Sequence, residues 1–352
     1  MKAAILAGGL GTRMRPLTFT TPKPLLPILN VPMLLRTIER LPKGVDGVVL
    51  AVNYLADQIA AYLKEHPPSL PVKLVTEEEP LGTAGAVRNL DRELGGERFF
   101  VLNGDVITSV DLGAMVEFHR RRKAVGTLHL WPVEDPSRYG IARVDDDGRI
   151  VEFKEKPRPE EAFSNLINAG TYILEPEVLD LIPRGRAVSI EQEIFPAIIP
   201  KGLYGYVSGE FWIDAGKPLD YIEAHRLLMN VDRARYRPRR KFPGVVVEPP
   251  CLLPPGTDLG RGSRIGPNVS FGAGVIVGEG ALIADSVLLD SVRVGARARI
   301  EHAVIGNGAF IGDGARVSRG TVVADGGEVP PGKRTATFEG VEASRRAHGG
   351  AP

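Results

Sequence analysis

The first thirty residues contain a loop with the composition of a phosphate-binding site. A short apolar run, Ala3–Ala7, has the length of a buried parallel strand and leads directly into the glycine-rich stretch 8–12. Glycine allows tight turns and brings backbone N–H groups close to a ligand. Arg13 and Arg15 follow at once, and Lys23 lies between two prolines whose fixed φ angles stiffen the segment. This loop is therefore expected to bind phosphate groups.

The loop matches neither of two common phosphate-binding motifs. A Walker A loop requires Gly-x-x-x-x-Gly-Lys-Ser/Thr, and a dinucleotide fingerprint anchored on Gly9 and Gly11 would need a third glycine where Met14 stands. A glycine-rich surface turn with incidental arginines is the alternative on these residues alone. Over residues 8–25 the sequence reads G-G-x-G-T-R-x-x-P-L-T-x-x-x-P-K-P-L without a gap, and it resembles the signature of the nucleoside-diphosphate-sugar pyrophosphorylases.

The composition excludes several classes of partner and site. The 352 residues include 44 Lys and Arg against 43 Asp and Glu, a net charge of +1, so no overall field attracts nucleic acid or an anionic membrane. The single cysteine, Cys251, excludes an internal disulfide framework and a cysteine-based zinc site. No apolar run approaches the ~18 residues of a transmembrane helix, and Gly8 interrupts the first run too early for a signal peptide. These features predict a soluble, cytoplasmic protein.

The elements that would position the loop follow from an alternating pattern. Between Met33 and Asp105, helix-like segments such as ADQIAAYLKEH alternate with strand-like segments such as VDGVVLAV and RFFVLNGD. Such alternation predicts right-handed βαβ units, in which ligands gather at the carboxyl ends of parallel strands. Together with the resemblance, it predicts an α/β fold: a Rossmann-like, mixed but mainly parallel sheet in a nucleotidyltransferase domain over residues 1–232.

A change in sequence pattern marks a second domain. Residues 233–257 are rich in Arg and Pro and are interpreted as a linker, because beyond them an aliphatic residue recurs every six positions, often followed by glycine. This period predicts a parallel β-helix, and the sequence resembles left-handed β-helix domains. The period slips by one residue near Val294 and near Ile305. The predicted β-helix spans 258–335 and a flexible tail spans 336–352.

Because the outer coils need covering, we expect the β-helix to pack on the catalytic domain and on another subunit, giving a homo-oligomer.

Further loops with polar residues follow the predicted strands. Residues 77–86 read E-E-E-P-L-G-T-A-G-A; Thr83 is expected to cap the helix that follows, and the glycines would let a flat ring lie close to the backbone. Asp105 and Asp214 each end an apolar strand-like run. An Asp at the end of a strand is often a turn residue. On a phosphate-binding sheet, Asp105 is also a candidate ligand for Mg²⁺, which prefers carboxylates and substrate phosphates.

The resemblance implies roles for these loops. E-x-P-L-G-T-A-G-A is similar to the family's base-recognition loop, L-N-x-D and W-x-D-x-G to its two metal-binding motifs, and Glu-Lys-Pro and Asn-Ala-Gly-Thr to its sugar-phosphate elements. The implied catalytic residues are Arg13 for the leaving pyrophosphate, Lys23 for the α-phosphate, Lys156 for the phosphate of the sugar, and Asp105 and Asp214 for Mg²⁺. The implied nucleotide-binding residues are Leu6, Ala7, Gly8, Gly9, Gly11, Thr12, Arg13, Lys23, Glu78, Pro80, Gly82, Thr83, Asn103 and Gly104. The implied sugar-binding residues are Gly140, Glu155, Lys156, Asn168 and Gly170.

Four motifs narrow the resemblance within this family: T-P-K-P-L, E-E-E-P-L-G-T-A-G-A, S-I-E-x-E-I-F-P and F-W-x-D-x-G. Together they most resemble the mannose-1-phosphate guanylyltransferases that have a β-helix. The implied reaction converts GTP and mannose 1-phosphate into GDP-mannose and pyrophosphate, with Mg²⁺ as cofactor and Glu78 accepting hydrogen bonds from guanine. Three alternatives stay open: thymidylyl, uridylyl or adenylyl transfer to glucose 1-phosphate; a hexapeptide acyltransferase with His302 as its base; and a non-catalytic regulatory subunit. Every charged residue that the mechanism needs, from Arg13 to Asp214, is present, which favours an enzyme over a regulatory subunit.

Overall fold

The computed structural model of the protein describes residues 1–238 and 240–343, which form two compact units. The first unit combines Met1–Leu10 with Met33–Ile213, and the second combines Gly11–Pro32 with the chain from Asp214 onwards. The predicted boundaries at residues 232, 257 and 335 stay predictions. The end of the predicted tail, 344–352, lies outside the described residues.

As far as residue 231, strands and helices alternate along the chain. The strands of this region are β1 (Lys2–Leu6), β2 (Pro27–Ile28), β3 (Val31–Pro32), β4 (Val48–Val52), β5 (Val72–Thr76), β6 (Phe99–Asn103), β7 (Val106–Thr108), β8 (Gly126–Pro132), β9 (Gly140–Val144), β10 (Ile150–Glu155), β11 (Leu166–Leu174), β12 (Leu203–Val207) and β13 (Trp212–Asp214). The α-helices are α1 (Met33–Glu39), α2 (Ala56–Glu65), α3 (Gly82–Asn89), α4 (Asp91–Leu94), α5 (Leu112–Arg122), α6 (Phe195–Gly202) and α7 (Pro218–Val231).

The first unit is built on a nine-stranded mixed sheet. Its spine has the order β10-β9-β11-β6-β1-β4-β5, and β8 pairs with both β11 and β12. Strands β6, β1, β4 and β5 are parallel, whereas β11 runs antiparallel to β6. Ala3, Ala4 and Ile5 are fully buried, which is typical of a central parallel strand covered on both faces. The predicted mixed α/β sheet is confirmed.

The strand order determines where a ligand can bind. The chain runs from β1 outwards to β4 and β5 and then returns to place β6 on the other side of β1. The order therefore reverses between β1 and β6. In open α/β sheets, ligands bind in the crevice outside the carboxyl ends of the strands at such a switch point.

The second unit contains three all-parallel sheets. One contains β14 (Val246–Val247), β17 (Arg264–Ile265), β20 (Leu282–Ala284), β23 (Arg299–Glu301) and β26 (Arg316–Val317). Another contains β15 (Cys251–Leu252), β18 (Val269–Phe271), β21 (Val287–Leu288), β24 (Val304–Ile305), β27 (Val322–Val323) and β29 (Gly340–Val341). The last contains β16 (Asp258–Leu259), β19 (Ile276–Val277), β22 (Arg293–Val294), β25 (Phe310–Ile311) and β28 (Glu328–Val329).

Aliphatic side chains stack inside these coils. Ile265, Ile283, Ile300 and Val317 pair in successive strands of one sheet and are all buried. Ile265 and Ile283 are eighteen residues apart, but Val277 pairs with a residue only seventeen positions on, which explains the predicted slip of the hexapeptide period. Three parallel sheets with such short coils form the predicted left-handed β-helix, and this prediction is confirmed.

Residues 11–32 belong to the second unit rather than to the sheet that precedes them. They form three 3₁₀ turns, at Thr12–Met14, Leu17–Phe19 and Lys23–Leu25, and the β2–β3 hairpin, which packs against α7. The amide of Asn30 donates to the carbonyl of Phe271 at 2.9 Å, so this segment also contacts the β-helix. Across the described ranges, no helix has the length and apolar character needed to cross a lipid bilayer.

Candidate active site

The loops after β1 and β6 contact each other at the switch point. The N–H of Gly104 donates to the carbonyl of Leu6 at 3.0 Å, and a Cβ atom added to Gly104 would lie 2.9 Å from that oxygen. The N–H of Ala7 donates to Ala51, so the chain leaves the sheet in register with β4. Gly9 is exposed, and apart from its own atoms and its two chain neighbours no heavy atom of the described residues lies within 4 Å of where its Cβ would stand. The predicted residues Leu6–Gly8, Asn103 and Gly104 therefore lie together, beside an open glycine backbone.

A bulge in β11 brings a third loop to this crevice. Gly170 has φ +70°, and a Cβ atom there would lie 2.7 Å from Nδ2 of Asn103. Asn168 holds the bulge: its Oδ1 accepts from the N–H of Gly170 at 3.1 Å, and its Nδ2 donates to the hydroxyl of Tyr172 at 3.0 Å. The structure thus places two predicted sugar-binding residues, Asn168 and Gly170, next to the predicted nucleotide-binding Asn103.

Glu155 and Gly140 face each other on paired strands. A Cβ atom on Gly140 would lie 2.6 Å from Oε2 of Glu155, so only glycine leaves room for the carboxylate there. Nζ of Lys156 lies 3.3 Å from Oε1 of Glu155. Burial raises the pKa of Glu155, and the negative charge of Glu191 raises it further. The predicted sugar elements thus form a cluster with one exposed cation and one largely buried carboxylate.

Glu191 was not among the predicted site residues, yet the structure places it in this cluster. Its Oε2 accepts from the hydroxyls of Thr83 and Ser189, both at 2.8 Å, and its charge raises the pKa of Tyr172 as well as that of Glu155. It lies in a π-helical turn, Ile190–Ile194, a conformation often found at functional sites. The signal available in the sequence was the acidic motif S-I-E-x-E, which follows the sugar elements.

The prediction that Thr83 caps α3 is wrong. The helix begins at Gly82, the residue before it makes no side-chain cap, and Thr83 is its second residue. The Thr83 hydroxyl instead accepts from the N–H of Ile190 at 2.9 Å and donates to Glu191. A hydroxyl with two partners on a distant segment is better satisfied there than at the end of its own helix. The sequence placed Thr83 in the base-recognition loop but gave no sign that it contacts Glu191.

The three glutamates before α3 have different environments. Glu77 is buried, its Oε2 lies 3.4 Å from the N–H of Leu81, and burial raises its pKa. Glu78, Glu79 and Pro80 are exposed. Gly82 has φ +70° and lies against the backbone of Val188. Glu77 therefore stabilises the turn itself, and Glu78 has its carboxylate at the surface.

In the second unit, the side chains of Arg13 and Asp214 both lie beside Gly216. A Cβ atom on Gly216 would lie 2.7 Å from Oδ1 of Asp214 and 2.8 Å from a terminal nitrogen of Arg13. Gly11 has φ +61°, and its Cβ position lies 2.9 Å from Thr18 and 3.4 Å from Cβ of Lys23. The loop of residues 8–25 thus folds back so that Lys23 packs beside the turn at Gly11. Thr12 and Arg13 are exposed.

A serine after β7 holds the segment that leads to Asp214. Oγ of Ser109 accepts from the N–H groups of Glu210 and Phe211 at 2.6 and 2.9 Å, and the N–H of Ser109 donates to the carbonyl of Phe211 at 3.0 Å. Strand β7 begins directly after Asp105 and pairs with β13, which ends at Asp214. Sequence reasoning missed Ser109, because nothing local marks its partners about a hundred positions away.

His302, the base of the acyltransferase alternative, is half-buried at a turn of the β-helix. It has φ +50°, and its Nε2 lies 3.9 Å from Oδ2 of Asp285. Among the residues that the structure describes, no group of three or more His, Cys, Asp or Glu side chains could hold a metal ion.

Comparison with known proteins assigns both parts of the chain. The nucleotidyl transferase family model matches residues 2–231, and the GMPPB C-terminal domain model matches residues 247–333. The chain is 45% identical over 238 residues to mannose-1-phosphate guanylyltransferase 1 of Arabidopsis thaliana, covering 65% of this chain and 65% of that relative, slightly less than two thirds of its length. It is 38% identical over 270 residues to mannose-1-phosphate guanylyltransferase of Mycobacterium tuberculosis, covering 74% of this chain and 75% of that relative.

The fold is also similar to a solved structure. The crystal structure of HddC from Yersinia pseudotuberculosis superposes with a TM-score of 0.55 at 32% identity and covers 64% of this chain and 99% of that one. A second structure of HddC is complexed with GMP-PN, at 31% identity. With a family match over residues 2–231, a mixed sheet with its glycine loop at the switch point, and a parallel β-helix after it, the chain belongs to the nucleotidyltransferase family.

Proposed function

We propose that this protein transfers a guanylyl group from GTP to mannose 1-phosphate, giving GDP-mannose and pyrophosphate. The observation that supports it most is the crevice itself: the N–H of Gly104 bonds the carbonyl of Leu6, so the loop that contains Asp105 contacts the end of β1, where the glycine-rich stretch begins. Next to it lie the sugar elements Asn168 and Gly170. The curated relatives named above are mannose-1-phosphate guanylyltransferases, and a solved relative is complexed with GMP-PN, which supports a guanine nucleotide as donor.

The proposed chemistry is an in-line displacement at the α-phosphorus. An oxygen of the sugar phosphate forms a bond to that phosphorus, and the bond from the phosphorus to the oxygen shared with the β-phosphate breaks, releasing pyrophosphate. The sugar phosphate is already ionised at neutral pH, so no general base is required. Because two anions meet, positioning and charge stabilisation supply most of the catalysis. In this proposal Arg13 binds the leaving pyrophosphate, Lys23 the α-phosphate and Lys156 the phosphate of the sugar.

The proposed cofactor is Mg²⁺, with Asp105 and Asp214 as its protein ligands. Asp105 follows β6, and Asp214 is the last residue of β13. Mg²⁺ typically takes one or two carboxylates together with substrate phosphates, so the donor set fits this ion. When bound, the ion would neutralise charge that develops on the phosphates. In this proposal Gly9, Gly11 and Thr12 bind the phosphates through their backbone N–H groups.

The cluster around Glu155 is proposed to bind the sugar. Carboxylates accept hydrogen bonds from hydroxyls, and burial strengthens such bonds because water does not compete. Glu155 is largely buried, and Glu191, whose charge acts on it, accepts from two hydroxyls of the protein; both observations support a site for hydroxyl donors. Gly140 leaves the space that Glu155 occupies.

The base would be read by the loop that contains Glu78. An exposed carboxylate can accept from the N1–H and the 2-amino group of guanine, a pair of donors that thymine and uracil lack. Pro80, Gly82 and Thr83 would shape the backbone beside the ring. We further propose that the protein is a homo-oligomer associated through its β-helix.

Pyrophosphate release over a grid of donors and sugars tests this function. The donors are GTP, ITP, dTTP, UTP and ATP, and the acceptors are mannose 1-phosphate, glucose 1-phosphate and galactose 1-phosphate. GTP with mannose 1-phosphate should give the highest kcat/KM, with ITP lower because it lacks one donor. A higher value for dTTP with glucose 1-phosphate would replace the guanylyl proposal by the thymidylyl alternative, and no release with any pair would refute enzymatic function.

A further inference from the structure

A ladder of polar side chains runs along one corner of the β-helix. Oδ1 of Asp290 accepts from the N–H of Ala273 at 2.7 Å, and the N–H of Asp290 donates to Oδ1 of Asn307 at 3.1 Å. The next step repeats the pattern, since the N–H of Asn307 donates to Oδ1 of Asp325 at 2.6 Å. Nδ2 of Asn307 reaches the same oxygen at 3.1 Å. Each side chain therefore bonds the coil before it, and Asp325 is the end of this run.

The other carboxylate oxygen of Asp325, Oδ2, points away from this ladder and contacts the phosphate-binding loop of residues 8–25. Oδ2 accepts from the hydroxyl of Thr20 at 2.7 Å and lies 3.4 Å from that of Thr21. The Thr20 hydroxyl also lies 3.0 Å from the carbonyl of Leu17, but it has a single proton. The shorter distance and the charge of the acceptor favour Asp325, because hydrogen bonds to ionised groups are shorter and stronger than neutral ones. Asp325 thus bridges a β-helix coil and residues 17–21.

Along the sequence, the residues that contact Asp325 lie between Arg13 and Lys23, the two cations that are proposed to bind phosphate. Arg13 precedes Thr20 by one short turn, and Lys23 begins the next 3₁₀ turn after Thr21. Within the loop, the Thr18 hydroxyl bonds the carbonyl of Gly11 at 2.9 Å. The loop consists of short turns rather than a long helix or strand, so its position depends on side-chain contacts such as these.

We infer that Asp325 is a positioning residue for the phosphate-binding loop, through which the β-helix determines how Arg13 and Lys23 are presented. The inference rests on the proposed function and goes beyond a purely assembly role for the β-helix. A displacement of about 1 Å at a positioning contact can cost up to about 10²-fold in rate. Because other loop contacts remain when Asp325 is removed, the expected loss is about 10-fold in kcat/KM for the nucleotide.

The experiment compares Asp325→Ala with a matched control, Asp313→Ala. Oδ1 of Asp313 accepts from the N–H of Ala296 at 2.9 Å, the same kind of bond from coil to coil. Both variants lose a bond from coil to coil and should lower Tm, Asp325→Ala by more because it also loses the contacts with Nδ2 of Asn307 and with Thr20. Only Asp325→Ala should lower kcat/KM for the nucleotide, with KM for the sugar phosphate unchanged. An equal kinetic loss in both variants would show a general effect of β-helix stability and overturn the inference.

The partner side of the contact is tested by a double-mutant cycle. Thr20→Val should reproduce the kinetic loss, the double variant with Asp325→Ala should be no worse than either single variant, and Thr20→Ser should retain wild-type kinetics. Additive losses would show that the two residues act separately, which contradicts the inference. If Asp325→Ala does not fold, Asp325→Asn serves instead, because its amide oxygen can still accept from Asn307 while an NH2 group, which cannot accept, replaces the oxygen that accepts from Thr20.

Limited proteolysis provides a readout that does not depend on catalysis. Trypsin does not cleave before proline, so the bonds after Arg15 and Lys23 resist it and only the bond after Arg13 is cleavable within residues 8–25. Cleavage there should be faster in Asp325→Ala than in wild type and in Asp313→Ala. Unchanged cleavage together with unchanged kinetics would refute the inference. If wild type shows no transfer in the substrate grid, the proposed function fails while this measurement still decides whether Asp325 positions the loop.

Discussion

Replacing Gly170 by alanine should disturb the candidate site through one identified neighbour. Gly170 has φ +70°, which costs a residue with a Cβ about 1–2 kcal/mol. The new Cβ would also lie 2.7 Å from Nδ2, 3.1 Å from Cγ and 3.3 Å from Cβ of Asn103. Such overpacking typically costs about 1–3 kcal/mol. We therefore expect Gly170→Ala to destabilise the protein by about 2–5 kcal/mol.

Gly185→Ala separates the two contributions. Gly185 has φ +75°, and its Cβ position has no heavy atom within 4 Å, so alanine there meets the backbone strain without the contact. At roughly 3 °C per kcal/mol for a unit of this size, Gly170→Ala should melt roughly 3–9 °C below Gly185→Ala. Thermal unfolding of the first unit, followed by circular dichroism, measures the difference.

The kinetic consequence follows from where Asn103 lies. Asn103 precedes Gly104 and Asp105, so its displacement should lower kcat for pyrophosphate release by roughly 10-fold or more, whereas Gly185→Ala should keep wild-type kcat. If the two variants melt at the same temperature and both retain full activity, then Gly170 does not position Asn103. The assignment of this crevice as the site would then lose one of its structural supports.

Three further predictions concern other parts of the first unit and the proposed metal ligands. Asp105→Asn and Asp214→Asn should each keep the fold and lower turnover roughly 10²-fold, and direct Mn²⁺ binding followed by electron paramagnetic resonance should weaken in both; full activity and unchanged binding would refute the ligand assignment. Ser109→Ala leaves two N–H groups without their acceptor and should destabilise the protein by about 1–3 kcal/mol in urea unfolding. The control is Ser208→Ala, which should be nearly neutral because the buried Oγ of Ser208 has no hydrogen-bond partner among the described residues. Burial lowers the pKa of His129 from 6.5 to about 4, so as the pH falls His129 is protonated in the unfolded chain before it is protonated in the folded protein. The contribution of neutral His129 to stability is therefore complete above pH 6.5 and is lost as the pH falls towards 4. His129→Gln should flatten the dependence of Tm on pH over that range, and an unchanged slope would contradict the assignment.

The sheet and the β-helix could be predicted because each has a period. Alternating apolar segments specify βαβ units, and a six-residue period specifies a β-helix, whatever the side chains do in detail. The slips of that period were visible as well, and the structure explains them by coils of seventeen rather than eighteen residues. Periodicity reports which residues face a core, and cores were therefore the predictable part of this fold.

Contacts between distant segments could not be predicted in the same way. Thr83 has the residue type of a helix cap, but its hydroxyl bonds Ile190 and Glu191, about a hundred positions later. Ser109 and Glu210 are similarly remote in sequence. The family resemblance supplied motifs but not the hydrogen bonds that connect them. For the same reason residues 11–32 were predicted as part of the catalytic domain, with no sign that Asp325 contacts them.

The glycines of the motifs show what the sequence pattern could and could not indicate. Glycine was interpreted as a source of tight turns and of close backbone approach to a ligand, and Gly11, with φ +61°, fits the first of these roles. Gly140 and Gly216 do not have positive φ; their Cβ positions lie 2.6 Å from a carboxylate oxygen of Glu155 and 2.7 Å from one of Asp214. Their function is to leave space for a charged side chain, which any larger residue would displace. A glycine near a motif therefore indicates either a backbone turn or a neighbouring side chain that needs its space, and only the fold identifies which carboxylate that is.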